Sequence, residues 1–230
     1  MTERPILFSP EMVRAILGGR KTVTRRIIKD QPPPNCLYLT EALEGDYPDG
    51  KRRWAWMDGA TKDFSWHPWI EGEQAWQTCP HGEAGDLLWV KEPWRLGKTQ
   101  DKRNGTEVWE HLQQSQRQGI TVCYGAGGMK SVSPFERIEP TYPDDEPMPK
   151  WAGRRRHARF MPKWANRIRL EIEDVRVESL LDITEVDARA EGFGPRQARL
   201  LFLSYWDKLN GETHPAASDP WIFAIRFRMV

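Results

Sequence analysis

The chain has 230 residues, 39% hydrophobic and 29% charged, enough for one large domain or two small ones around a buried core, which excludes collagen, fibrous, coiled-coil and wholly disordered classes. Thirty-four Lys and Arg against 33 Asp and Glu leave a net charge of +1, so bulk charge argues neither for nor against nucleic acid. Three cysteines (Cys36, Cys79, Cys123) do not make a disulfide framework, no long apolar run suits a membrane span, and Met1 to Pro5 lack a secretory core, so a reduced, cytoplasmic, soluble protein is expected.

In chain order, Ile6 to Phe8 read as a short strand. Ser9-Pro10-Glu11 then opens a helix with an N-cap, a proline in the first turn and an early acid; Met12, Val13, Ile16 and Leu17 form its apolar face, and Gly18-Gly19 ends it. Thr22 to Ile28 read as a β-branched strand. Asp30 to about Gly82 carry Pro32-Pro33-Pro34, scattered glycines and no sustained period, which predicts an irregular insertion. Asp86 to Val90 read as a strand, Thr106 to Gln118 as an exposed helix, and 131–150 as a proline-rich acidic stretch. Ile168, Leu170 and Ile172 alternate with charges, then Val175 and Val177 alternate in the opposite register, which predicts a bulge or bend near Glu173-Asp174. Thr184 and Asp187 have capping-box spacing for a short helix that stops at Gly192 and leaves Glu191 at its C-terminal end. Pro195 to Leu209 predict an amphipathic helix, and Trp221, Phe223, Ile225, Phe227 and Met229 alternate along a final strand. Elements mixed without βαβ periodicity point to an α+β fold, a small barrel or highly curved sheet with peripheral helices.

Charge and aromatic residues are unevenly spread. Residues 150–169 hold eight Lys and Arg and no acid, while 171–191 hold eight acids and two arginines. Arg154, Arg155, Arg156, Arg159 and Lys163 are therefore candidates for phosphate contact; a basic loop docked on the acidic stretch is the competing structural reading. Seven of the twelve tryptophans fall between Trp54 and Trp94, as a satellite core beneath an insertion or as a base-stacking platform. Cys79-Pro80-His81 with Cys36 or Cys123 matches no standard zinc spacing, so no metal is assigned.

Gly19-Arg20-Lys21-Thr22-Val23-Thr24-Arg25-Arg26 resembles the G-x-K-x-x-[ET]-x-R signature of ASCH domains, whose fold is PUA-like. Gly85-Asp86-Leu87-Leu88-Trp89-Val90, then Leu181 to Glu185 through Ala188 and Glu191-Gly192, then Trp221 to Phe227, resemble later family segments in the same order. The resemblance covers 4–29, 85–94, 164–193 and 200–230, less than half of the chain. It implies a single PUA-like ASCH β-barrel over 1–230, with peripheral helices and two large loop insertions at about 30–84 and about 95–163. Cys79 to Asp86 and Met161 to Ala165 are similar to segments of phage and prophage ASCH proteins.

One branch of this family consists of N4-acetylcytidine amidohydrolases that use a Lys, a Thr and a Glu, matched here by Lys21, Thr24 and Glu191. The resemblance thus implies Thr24 as nucleophile, Lys21 as its base and Glu191 orienting the lysine, with Arg26, Trp89 and Glu92 binding substrate. Burial and the neighbouring Arg20, Arg25 and Arg26 would lower the Lys21 pKa while Glu191 raises it. A nucleoside, RNA or modified DNA is the expected partner, with no cofactor; the oligomeric state is left open, a monomer being favoured. A non-catalytic RNA or modified-DNA binding module keeping the same pocket is the alternative, and a ribonuclease has no evident residue set.

Overall fold

The computed structural model describes residues 1–31, 36–42, 53–58, 78–115, 119–134 and 147–230. These form a mixed α+β protein that divides into two compact units. Unit 1 comprises Met1–Thr2, Arg20–Asp86 and Glu171–Arg228; unit 2 comprises Glu3–Gly19, Leu87–Leu170 and Met229–Val230.

In unit 1, β2 (Val23–Ile27), β9 (Arg169–Ser179, its first two residues counted with unit 2) and β10 (Trp221–Met229) take the order β9-β10-β2. The β10–β2 pairing is antiparallel, setting Thr24 opposite Ile225 and Arg26 opposite Phe223. β9 is one continuous strand. Its buried positions still change parity, from Leu170 and Ile172 to Val175, where the reversed alternation predicted a bend. In β10 four consecutive residues, Ile222 to Ile225, are buried instead of alternate ones. The reason is burial of both faces: Ile222 and Ala224 join a core with Leu180, Phe202 and Trp206, while Phe223 packs edge-on against Trp54 with ring centroids 5.7 Å apart. Two helices complete the unit. α3 (Glu185–Ala190) has the expected capping box, with the Thr184 hydroxyl accepting from the Asp187 amide at 3.1 Å. α4 is Ala198–Asn210. The stretch expected to be irregular contains an antiparallel pair, β3 (Cys36–Ala42) with β4 (Arg53–Asp58). Trp54-Ala55-Trp56 was an alternation signal there, outweighed by the surrounding Gly and Pro.

In unit 2, β1 (Glu3–Leu7) runs parallel to β5 (Leu87–Lys91). α1 (Pro10–Leu17) begins with the Ser9 hydroxyl accepting from the Met12 amide at 3.4 Å and ends before Gly19, whose φ of +67° only glycine takes readily. A second sheet, β6 (Trp94–Arg95), β7 (Ile120–Tyr124) and β8 (Met129–Val132), encloses a core with α2 (Gly105–Gln114). Trp94, Leu96, Val108, Leu112, Tyr124 and Met161 fill it, and Trp109 and Trp164 stack beside it with centroids 5.4 Å apart. Trp94 thus belongs to a core. Trp66, Trp69, Trp76, Pro32 to Pro34 and 135–146 lie outside the described residues, as do side chains of Cys36 and Trp56. Among the described residues no helix is long and apolar enough to cross a membrane.

Candidate functional site

Lys21 and Glu191 meet in unit 1 because of how β2 is edged. The strand is the last of its sheet, so the chain just before it is free to pair elsewhere. It pairs with the end of α3: the Thr22 amide donates to the Ala190 carbonyl at 2.8 Å, and Lys21 and Glu191 form an isolated antiparallel bridge. Gly192, at φ +98°, turns the chain away immediately afterwards.

The Lys21 ammonium, whose side chain is 1% exposed, donates to the Val23 carbonyl at 2.8 Å, to the Glu191 carbonyl at 3.0 Å and to the Glu191 carboxylate Oε2. The other carboxylate oxygen of Glu191 lies 3.4 Å from an Arg25 guanidinium nitrogen. Arg25 also holds Glu178 at 2.7 Å and faces Asp187 at 3.8 Å, its own side chain 1% exposed. Asp187, in α3, and Glu191, the residue that caps its C-terminal end, stand four positions apart and so come to the same side. Two buried cations, Lys21 and Arg25, therefore meet three carboxylates, Glu178, Asp187 and Glu191, and the more exposed Arg176 lies 3.7 Å from Glu178.

Burial lowers the Lys21 pKa from its ordinary 10.5; Glu191 opposes that shift, and Arg26 and Arg25 reinforce it. Burial also pushes Arg26 down, against Glu191 and Tyr205. Burial works to raise Asp187, but hydrogen bonds from Thr184 and the charges of Arg25 and Arg176 outweigh it and leave the carboxyl below its ordinary value. Thr24 is buried in β2 one residue after the carbonyl that Lys21 holds. Successive side chains of a strand take opposite faces, so Thr24 and Arg26 share one face of β2, and Val23 and Arg25 the other. Arg25, Glu178 and Asp187 were not singled out as site residues from sequence; the four-residue spacing of Asp187 and Glu191 was the one signal available for them.

Trp89 and Glu92 belong to unit 2. Trp89 lies under the Lys91 ammonium, 5.3 Å from the ring centroid. Both Glu92 carboxylate oxygens are taken by Arg167, at 2.8 and 3.0 Å, each side chain 1% exposed. Burial raises the Glu92 pKa, against Arg167 and the Ala126 amide. Arg167 also lies over the Tyr124 ring at 4.0 Å.

The basic run separates into two kinds of residue. Arg156 is buried, donates to the Arg103 and Gln100 carbonyls at 2.7 and 2.6 Å, and lies 5.2 Å over the Trp94 ring. Lys163 pairs with Glu3 at 2.6 Å, and Arg169 approaches the same carboxylate at 3.5 Å. Arg154, Arg155 and Arg159 are exposed, and Arg159 lies 5.0 Å over the Phe160 ring. Among the described residues no group of three or more His, Cys, Asp or Glu is placed to hold a metal ion. The Cys123 thiol is buried, which raises its pKa against the charge of Arg95.

No family model, no curated protein and no solved structure matches the chain.

Proposed function

We propose that unit 1 binds a nucleobase or nucleoside and hydrolyses an N-acyl amide on the exocyclic nitrogen of a cytidine-like base. The observation that carries this reading is the buried Lys21–Glu191 pair, whose ammonium also holds the carbonyl next to Thr24. The ASCH resemblance, with its PUA-like barrel, supplies the substrate class and the role of each residue. A lysine acts as a base only after losing its proton. Here a carboxylate in direct contact offers a place for that proton, and burial favours the neutral amine.

In the proposed reaction the Thr24 hydroxyl proton passes to the neutral Lys21 amine by way of one water, since Thr24 lies on the face of β2 opposite Arg25, as Oγ attacks the acyl carbon. The carbon–nitrogen bond breaks, and the exocyclic nitrogen leaves as an amine carrying the proton returned by Lys21. Water then attacks the Thr24 ester, the carboxylic acid departs, and the hydroxyl is restored.

A second reading, a non-catalytic module binding RNA or modified DNA, is favoured by one observation. The three bonds from Lys21 use all the donors of an ammonium, as in a clamp that only shapes a pocket. Incubation of the full chain with N4-acetylcytidine and with acetylated RNA, read by mass spectrometry for free acid, separates the two. Under the hydrolase reading Thr24→Ala lowers acyl release by about a thousandfold while ligand binding survives, and Thr24→Ser keeps part of the rate. Hydrolysis that persists in a folded Thr24→Ala protein overturns the covalent route; binding without hydrolysis in the unaltered chain leaves the module.

A further inference from the structure

Unit 2 holds a groove of about 490 Å³ that the chemistry of unit 1 does not use. It is lined by Trp94, Phe160 and Pro162, by Asn104 to Thr106 at the start of α2, and by the basic run Arg154 to His157. Four of these residues are Arg or His and none is Asp or Glu. The N-terminus of α2 is already served within the chain, since Asn104 and Glu107 form a reciprocal capping box at 3.0 and 2.9 Å. The positive field of the groove therefore comes from its side chains.

Arg156 forms part of the wall, its guanidinium fixed on two carbonyls, whereas Arg154 and Arg155 are exposed and carry no side-chain hydrogen bond or ion pair among the described residues. The Asp101 carboxylate accepts from the Arg154 amide at 2.9 Å, which fixes the backbone of the run. Two donors in the wall also lack an acceptor among the described residues: the indole N–H of Trp94, 1% exposed, and Nε–H of Arg156, 8% exposed. Both atoms are shielded from solvent, so they belong to the packing of the wall and are not contacts offered to a ligand. At the rim, Phe160 is 65% exposed with Arg159 over its ring, an aromatic face with a cation beside it.

We propose that this groove binds single-stranded nucleic acid, with backbone phosphates on Arg154 and Arg155 and a base stacked on Phe160. The volume lies within the range of sites that take a small ligand such as one nucleotide. A sequence-tolerant strand site combines a cationic track with an exposed aromatic platform, and both are present here. The competing occupant, a rigid duplex, would use the arginines but not the ring. This proposal stands apart from the hydrolase reading of unit 1, since no residue of that site takes part in it.

The test is fluorescence anisotropy of the full chain with a labelled 12-nucleotide oligo(U), a duplex of equal length and uridine monophosphate as competitor, over a series of salt concentrations. Arg154→Glu with Arg155→Glu, both exposed, should leave the thermal melt in place. The pair should weaken oligo(U) binding by about tenfold or more and lower the salt slope by about 1.4, the value for two contacts to a single strand. Phe160→Ala should weaken oligo(U) by about tenfold and leave the duplex unchanged. Binding within twofold of the unaltered chain for the arginine pair, with the same slope, overturns the groove. An equal effect of Phe160→Ala on duplex and single strand overturns stacking, and uridine monophosphate binding as tightly as the 12-mer overturns a polymer ligand.

Discussion

Each unit buries a glutamate against a cation, and the two pairs differ in what the cation can do with its proton. In unit 2, Glu92 and Arg167 form a two-pronged pair with both carboxylate oxygens engaged. A guanidinium does not give up its proton in a protein, so this pair can hold structure but cannot act as a base. In unit 1, Glu191 faces the amine of Lys21, whose pKa burial lowers, and a second cation, Arg25, stands behind the same carboxylate. There the charge of Glu191 stays compensated even when the lysine is neutral. Equal burial of two ion pairs thus says little about function; the proton chemistry of the cation and the presence of a second counter-charge decide it.

Lys21→Arg makes the unit 1 pair chemically like that of unit 2. If Lys21 is the base, release of acid from N4-acetylcytidine should fall by about a thousandfold. Full activity in the arginine variant, measured by the same mass spectrometry, would erase the distinction between the pairs.

Stability offers the next contrast. Arg167→Met leaves Glu92 with the Ala126 amide but without its cation and should cost about 3 to 5 kcal/mol in urea unfolding. Lys21→Met leaves Arg25 at 3.4 Å from Glu191 and should cost clearly less. The reverse order would mean that Arg25 does not compensate.

The two pairs should also tilt stability in opposite directions with pH. The folded-state pKa of Lys21 lies below 10.5, so between that lowered value and 10.5 the unfolded chain binds more protons and this group's contribution rises with pH. The folded-state pKa of Glu92 lies above 4.5, so from 4.5 up to the raised value the folded chain binds more protons and its contribution falls with pH. Urea unfolding across pH should show the alkaline slope removed by Lys21→Met and the acidic slope removed by Glu92→Gln.

The smallest effect is expected at Gly192. A side chain at φ +98° is strained, so Gly192→Ala should cost about 1 to 2 kcal/mol and displace the neighbouring Glu191 backbone. A matching change at Gly128, with φ +76° between β7 and β8 in unit 2, should cost a similar amount without lowering acyl release. Equal loss of activity from both would show that Gly192 acts through folding alone.

Local rules carried much of the fold. Ser9 and Pro10 specify the start of α1, Thr184 and Asp187 the start of α3, and Gly18-Gly19 and Gly192 their ends, because caps and left-handed turns depend on residues within four positions of each other. The same signals placed Glu191 at a helix end, and the resemblance joined it to Lys21 and Thr24. The β3–β4 pair was not legible, although its strands are longer than β2 or β5, because turn-forming Gly and Pro surround them. The four consecutive buried residues of β10 were not legible either, because alternation records one buried face and cannot report that a second face is covered.

What the sequence alone determined is therefore where chain segments start, stop and alternate, and that cations and carboxylates are segregated along it. Which charge meets which was decided by the tertiary structure. Arg154, Arg155 and Arg156 are chemically alike and adjacent, yet Arg156 is buried against the Gln100 and Arg103 carbonyls while its neighbours stay exposed. Lys21 and Glu191 are 170 positions apart and are in contact only because the end of α3 pairs with the chain entering β2. Local periodicity has no reach over such separations: packing chooses the partner, and burial then sets the strength of the charge interaction and the position of its proton.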